Sequence, residues 1–161
     1  TISFGGVDPN NFTERILGLI YEECILADIK INVVMGMGYL NKNRIEEKYS
    51  KANFYKNIPN ISDIMNEADI IFTSAGRTTF EVASLGIPSI VLCQNKRETT
   101  HFFANEIHGF CNLGLGSLVE DNSLRNELTL RESMRNRMLA SNLRNGKENV
   151  IKRIRQLISY N

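Results

Sequence analysis

The chain has almost no net charge: 19 basic against 18 acidic residues leave +1 at pH 7. No global field therefore argues for nucleic acid or for an anionic membrane surface as a partner. Cysteine is scarce as well. Cys24, Cys93 and Cys111 are an odd number at wide spacings, which suits free thiols in a reducing cytoplasm better than a disulfide framework. With His101 and His108 they show no metal-ligand spacing, so neither a metal nor a cofactor is expected. No apolar run is long enough to span a bilayer, and no signal peptide opens the chain. The first residue is Thr1, already inside strand-like sequence and without an initiator Met. The expectation is a cytoplasmic piece of a longer two-domain polypeptide.

Several site signatures are missing too. Gly5-Gly6 is not followed by the Gly-Lys-Ser/Thr of a Walker loop, and the third glycine of the dinucleotide fingerprint is absent. Gly36-Met37-Gly38 also lacks a third glycine and reads as a turn. No Ser/His/Asp or Cys/His arrangement is readable, so no catalytic residue is assigned; His101 and His108 read as surface residues. Arg125, Arg131, Arg135, Arg137, Arg144, Lys147, Lys152, Arg153 and Arg155 alternate with polar or acidic neighbours, as on a solvated helical face.

What the chain does have is an alternation of short β-forming runs with amphipathic stretches. The most informative unit runs from Ile70 to Glu81. Ile70-Ile71-Phe72 suits a strand covered on both faces. Thr73-Ser74-Ala75-Gly76-Arg77 is a small polar turn, and Phe80, Val82 and Leu85 mark the helix that follows. With Ser74 as its N-cap, that helix would offer unpaired N–H groups and partial positive charge to a phosphate. Glu81, about two turns into the helix, could accept hydrogen bonds from a pair of sugar hydroxyls. The same residues also fit an ordinary βα unit with a capped helix and a surface acid.

Strands are expected at residues 2–4, 30–35, 53–55, 70–72, 89–92 and 110–113. Helices are expected from Asn10 or Asn11 to residue 26, at 43–49, at 61–67 after Asn60 or Ser62, from the polar turn to Gly86, and at 99–107. The chain from Asp121 reads as helical, broken near Asn145-Gly146, with an amphipathic end at Val150, Ile151, Ile154, Leu157 and Ile158. Strict alternation predicts an α/β fold: a Rossmann-like, doubly wound parallel sheet of about six strands with helices on both faces. Residues 1–161 form one domain on this reading. Ligands of such sheets lie at the carboxyl ends of the strands. The loops there are 5–11, 36–40, 57–60, 73–77 and 94–100, and they hold five of the chain's eleven Gly together with Asn and small polar residues.

Taken in order, five segments resemble the nucleotide-binding half of a GT-B protein. They are Ile2-Ser3-Phe4-Gly5-Gly6-Val7-Asp8-Pro9-Asn10-Asn11, Asn57-Ile58-Pro59-Asn60-Ile61-Ser62-Asp63-Ile64-Met65, Ala68-Asp69 through Ser74-Ala75-Gly76 to Glu81, Gly86-Ile87-Pro88, and Gln94-Asn95-Lys96-Arg97-Glu98-Thr99. The chain resembles first the UDP-sugar hydrolases of pseudaminic acid synthesis and the related spore-coat polysaccharide proteins. More distantly, it is similar to the C-terminal domain of the glycosyltransferase that makes lipid II. The resemblance implies a UDP-sugar in the cleft and an N-terminal half of the same polypeptide as partner. It places Gly5 and Gly6 at the diphosphate, with Val7 departing from the small polar residue common there. Ile58 falls where the backbone reads uracil. Ser74, Ala75, Gly76 and Arg77 fall at the phosphate turn, Glu81 at the ribose, and Gln94, Glu98 and Thr99 at the hexose. The hydrolases' catalytic His belongs to the other half, in a motif this sequence lacks. The resemblance implies a nucleotide-sugar hydrolase; the alternatives are the donor half of a glycosyltransferase or a non-catalytic binding module.

Overall fold

Short runs of β-formers become the strands of one parallel sheet. The computed structural model describes residues 1–40, 42–121, 131–141 and 143–158, and the backbone alone of residues 42, 43, 131, 132, 157 and 158. The strands are β1 (Ile2–Ser3), β2 (Asn32–Met35), β3 (Asn53–Lys56), β4 (Ile71–Thr73), β5 (Ser89–Cys93) and β6 (Phe110–Leu115). Their order is β3-β2-β1-β4-β5-β6, and every pairing is parallel. Ile2 pairs with Val33 on one side and Phe72 on the other. The chain therefore winds outward from β1 in one direction, then returns to β4 and winds in the other. The crevice at such a reversal is where a doubly wound sheet takes its ligand.

The helices are α1 (Phe12–Leu26), α2 (Lys42–Lys48), α3 (Ile61–Asn66), α4 (Thr78–Leu85), α5 (Arg131–Ala140) and α6 (Gly146–Ile158). They cover the sheet on both faces, and strand residues alternate between two cores, as a period of two requires. Ile2, Val33, Phe72, Ile90 and Leu92 pack with Phe12, Ile16, Leu17 and Ile45 of α1 and α2. Ile71, Val91, Cys93 and Phe110 pack with Met65, Val82, Ala83 and Met138 of α3, α4 and α5. This packing explains how strands of two and three residues persist. A ladder hydrogen bond contributes about 1 kcal/mol net, whereas full burial of an Ile or Phe side chain contributes roughly 1.5–3 kcal/mol. No disulfide joins Cys24, Cys93 and Cys111, and burial pushes the Cys93 thiol up to about 11.

Three expectations need correction. The helix expected at 99–107 is instead two 3₁₀ turns, Glu98–Thr100 and Glu106–His108. The hydroxyls of Thr99 and Thr100 donate to the carbonyls of Lys96 and Arg97, and the Asn105 side chain accepts from the His108 N–H. Such local side-chain bonds compete with a continuous helix. The start of α1 is not capped by Asn10 or Asn11; Asn11 sits in the left-handed region without a side-chain cap bond, and Asp8 does the capping, as described below. Part of the basic C-terminal stretch has definite partners. Arg135 donates to the Gly86 carbonyl, and Arg144 to those of Ser84 and Leu85, which caps the carbonyl end of α4 with positive charge. Arg137 donates to Glu106. Arg125 and the side chains of Arg131, Leu157 and Ile158 lie outside the described residues. Val150, Ile151 and Ile154 are exposed along α6. Among the described residues no helix is long and apolar enough to cross a membrane.

Arg15 links the two ends of the fold. Its guanidinium donates to the Gly116 carbonyl at 2.7 Å, to the Val119 carbonyl, and to the more exposed Asp121 carboxylate. The carbonyl bonds should matter more than the surface ion pair. We expect Arg15→Ala to lower unfolding free energy by about 1–2 kcal/mol and Asp121→Ala by less than about 0.5 kcal/mol, read by urea denaturation. Equal losses would reverse that ranking.

Candidate functional site

The loops at the carboxyl edge are joined by a buried acid. Asp8, 6% exposed, accepts from the backbone N–H groups of Phe12 (3.0 Å) and Thr13 (2.8 Å) at the start of α1. Its Oδ1 also accepts from Gln94 Nε2 at 2.6 Å. Asn10 Nδ2 donates to the Gln94 backbone carbonyl and to its side-chain Oε1. The loop after β1 and the loop after β5 are thereby fastened across the ends of the central strands.

Gly5 and Gly6 are exposed, and a Cβ built on either meets nothing within 4 Å. The close approach is at Gly36 instead. A Cβ there would fall 2.4 Å from Gly6 Cα and 2.6 Å from the Gly5 carbonyl oxygen, contacts with backbone that cannot swing aside. The Gly38 N–H donates to the Gly6 carbonyl at 2.9 Å. Gly36-Met37-Gly38 is thus more than a turn: it is the floor on which the β1 loop rests. Gly5 itself takes φ +81°. Val7 is 56% exposed.

Beyond β4, the turn 74–77 leads into α4. Ser74 does not cap this helix; the residue before it is Arg77, which makes no side-chain cap bond. The Ser74 hydroxyl and the backbone N–H groups of Gly76, Arg77 and Thr78 take no partner among the described residues. Ser74 is buried, Gly76 and Thr78 are partly exposed, and Arg77 is exposed. The Thr73 hydroxyl, one residue before the turn, is fully buried and also unpartnered. Glu81 lies in the first turn of α4, not two turns in, and is exposed. A helix start with free amides and partial positive charge favours an anion.

The loop after β5 closes this edge. Gln94 is spent on Asp8 and Asn10, and the Glu98 carboxylate accepts from the Gln94 N–H at 2.8 Å. Thr99 and Asn95 remain exposed. His101 follows the first 3₁₀ turn, and its Nδ1 lies 2.5 Å from the Ala75 carbonyl oxygen in the β4–α4 turn. It is therefore part of the site, not a bystander. His108 is a packing residue, stacked on Phe103 at 4.6 Å. Ile58 is half-buried on the segment between β3 and α3, and no hydrogen bond or ring contact ties it to the turn after β4. The arrangement is an open ledge. One concavity lies away from it along α6, and another, lined in part by Thr99 of the β5 loop, lies beside β6 and α5. No group of three or more His, Cys, Asp or Glu among the described residues could hold a metal ion.

Sequence reasoning put Asp8 and Gly36 in loops at this edge without giving either a role, and read His101 as a surface residue. Asp8 reaches four and five residues ahead, outside the usual capping spacing, and the partners of Gly36 and His101 come from other loops. The Asp8 knot is directly testable. Asp8→Ala should cost about 2–4 kcal/mol, since it removes a cap and strands the Gln94 amide; Gln94→Ala should cost about half as much. Chemical unfolding of both variants checks this, and an Asp8→Ala loss under about 1 kcal/mol would contradict the role.

With this geometry in hand, comparison with known proteins is informative. Residues 8–158 match the glycosyltransferase family 28 C-terminal domain. The uncharacterised protein MJ1062 of Methanocaldococcus jannaschii is 42% identical over 103 residues, covering 59% of this chain and 20% of that protein. The spore coat polysaccharide biosynthesis protein SpsG of Bacillus subtilis is 27% identical over 128 residues, covering 76% of this chain and 38% of that protein. Among solved structures, MurG of Acinetobacter baumannii superposes with a TM-score of 0.68 at 18% identity, over 96% of this chain and 48% of that one. The glycosyltransferase SnogD of Streptomyces nogalater gives 0.51 at 17% identity, over 85% of this chain and 38% of that one. The chain thus spans less than half the length of these relatives, and its fold is that of one half of a GT-B protein. By the match across nearly all its residues, the chain belongs to the glycosyltransferase family 28 C-terminal domain family.

Proposed function

We propose that this chain is the donor-binding half of a glycosyltransferase that uses a UDP-sugar. One observation carries the reading: the consecutive amides leading into α4, those of Gly76, Arg77 and Thr78, have no acceptor among the described residues at the crevice where the winding of the sheet reverses. A diphosphate supplies acceptors there without any cationic cage. On this reading Gly5, Gly6 and Val7 border the diphosphate from the β1 side, with Ser74, Ala75, Gly76 and Arg77 on the other. Glu81 takes the ribose hydroxyls and Ile58 borders the uracil. Gln94 and Glu98 shape the loop facing the hexose, and Thr99 is left to touch it.

Transfer to a hydroxyl acceptor is favoured over hydrolysis by the family assignment. A hydrolase of the pseudaminic acid type would use the same donor residues with water as acceptor. The name of the SpsG relative supports a place in making a surface polysaccharide. The parent protein on this reading has an N-terminal half that brings the acceptor, and the chain alone turns nothing over.

Calorimetric titration of the chain with UDP, UDP-GlcNAc, CMP and NAD tests the donor class. UDP and UDP-GlcNAc should bind, CMP and NAD should not, and UDP-GlcNAc should remain intact. Tighter binding of NAD than of UDP would overturn the reading. In the same assay Glu81→Ala should weaken UDP by about 1–3 kcal/mol but barely affect 2′,3′-dideoxy-UDP, with the thermal midpoint unchanged because Glu81 is exposed. Equal losses for both ligands would remove Glu81 from the ribose.

A further inference from the structure

We propose that His101 is a positioning residue that holds the Ala75–Gly76 peptide so that the Gly76 N–H faces the bound phosphates; its ligand-binding consequence rests on the nucleotide reading above. The Ala75 carbonyl can only accept, so the His101 Nδ1 at 2.5 Å carries the hydrogen and donates it. A trans peptide is planar, with its C=O and N–H pointing in opposite directions. Pinning the Ala75 carbonyl on the His101 side therefore aims the Gly76 N–H the other way.

The rest of the turn is held from inside the helix. The Gly76 carbonyl accepts from the Thr79 N–H (3.2 Å) and hydroxyl (2.7 Å), which fixes the Arg77 N–H. The Arg77 carbonyl accepts from the Phe80 N–H at 3.0 Å, which fixes the Thr78 N–H. The Ala75–Gly76 peptide comes before these bonds, and glycine on its far side lets it rotate at little steric cost. It takes its restraint from a residue 26 positions away.

His101 is itself restrained. Its N–H donates to the Glu98 carbonyl at 3.1 Å. The Glu98 side chain holds Gln94, and Gln94 holds Asp8. On the other side Phe103 stacks on Phe80 of α4 with ring centroids 4.4 Å apart. The imidazole is therefore a strut between the β5 loop and the β4–α4 turn.

Replacement separates this role from direct contact through Nε2. An Asn side chain places its amide nitrogen near the position of Nδ1, whereas Gln places its nitrogen near that of Nε2. We would compare wild type with His101→Asn, His101→Gln and His101→Ala in calorimetric titrations with UDP and with uridine. The Gly76 amide of each ligand-free protein would be followed by ¹⁵N–¹H NMR. His101 is exposed, so the variants keep the fold. Expected are about a tenfold loss of UDP affinity in the Ala and Gln variants, corresponding to one lost charge-assisted hydrogen bond, unchanged uridine binding, and retention by Asn. The Gly76 amide should shift in the Ala and Gln proteins and stay in place in Asn. An Asn variant as weak as Ala would assign the effect to Nε2 and overturn the latch, as would a Gly76 resonance unmoved in His101→Ala. If wild type binds uridine as tightly as UDP, the diphosphate reading fails, and the Gly76 resonance in free protein still decides the latch.

Discussion

The carboxylate of Asp8 is the joint on which the candidate site depends. It is nearly inaccessible to water, where an unpaired acid would be costly. Its two oxygens accept from two amides of α1 and from the Gln94 side chain. A single group thus starts the first helix, shapes the loop after β1, and anchors the loop after β5 across the intervening strand β4. From Gln94 the connections continue through Glu98 to His101 and so to Ala75. The two sides of the crevice are held at a fixed separation by hydrogen bonds between loops, while the strands beneath contribute two or three residues each.

That division of labour follows from the sheet. Both faces of β1, β4 and β5 are covered, so their side chains can only be apolar or small, and Ser3, opposite Thr73, is buried with it. Polar groups with freedom to meet a ligand are displaced to the strand ends. The Thr73 hydroxyl marks the boundary: buried and unpartnered, it carries the penalty of about 1–3 kcal/mol that an unsatisfied polar group bears. One residue on, the Ser74 hydroxyl and the amides leading into α4 take no partner among the described residues.

The strands were legible in the sequence because burial on both faces forces runs such as Ile70-Ile71-Phe72 and Ile90-Val91-Leu92, which no solvated segment needs. The stop of α4 at Gly86 was legible for a similarly local reason. The caps were not. Asn10, Asn11 and Ser74 are residue types that commonly cap helices, yet Asn10 turns to Gln94, Asn11 to Glu14, and Ser74 lies before the Arg77 cap position of α4, its hydroxyl without a partner among the described residues. The segment 99–107 carries an apolar pattern that suits a helix, and hydroxyl and amide side chains divert its backbone into two short turns. The roles of Gly36 and His101 were illegible for a different reason. Their importance comes from Gly5-Gly6 and from Ala75, and nothing in either residue's own neighbourhood encodes that contact.

The near-neutral composition and an anionic ligand are compatible on the reading proposed above, because the attraction is supplied by backbone dipoles. A field from excess lysine or arginine would act over a Debye length and draw in polyanions indiscriminately. Oriented amides act within the first turn of a helix and only on a group seated against them. Their usefulness then depends on direction rather than on charge, so a residue that never carries the ligand can decide its binding by fixing a peptide plane. This puts the specificity of the ledge in its hydrogen-bonded geometry. A net charge near zero, which gives no argument for nucleic acid, says nothing against a single diphosphate, whose recognition on the proposed reading depends on which carbonyls are held and which amides are left free.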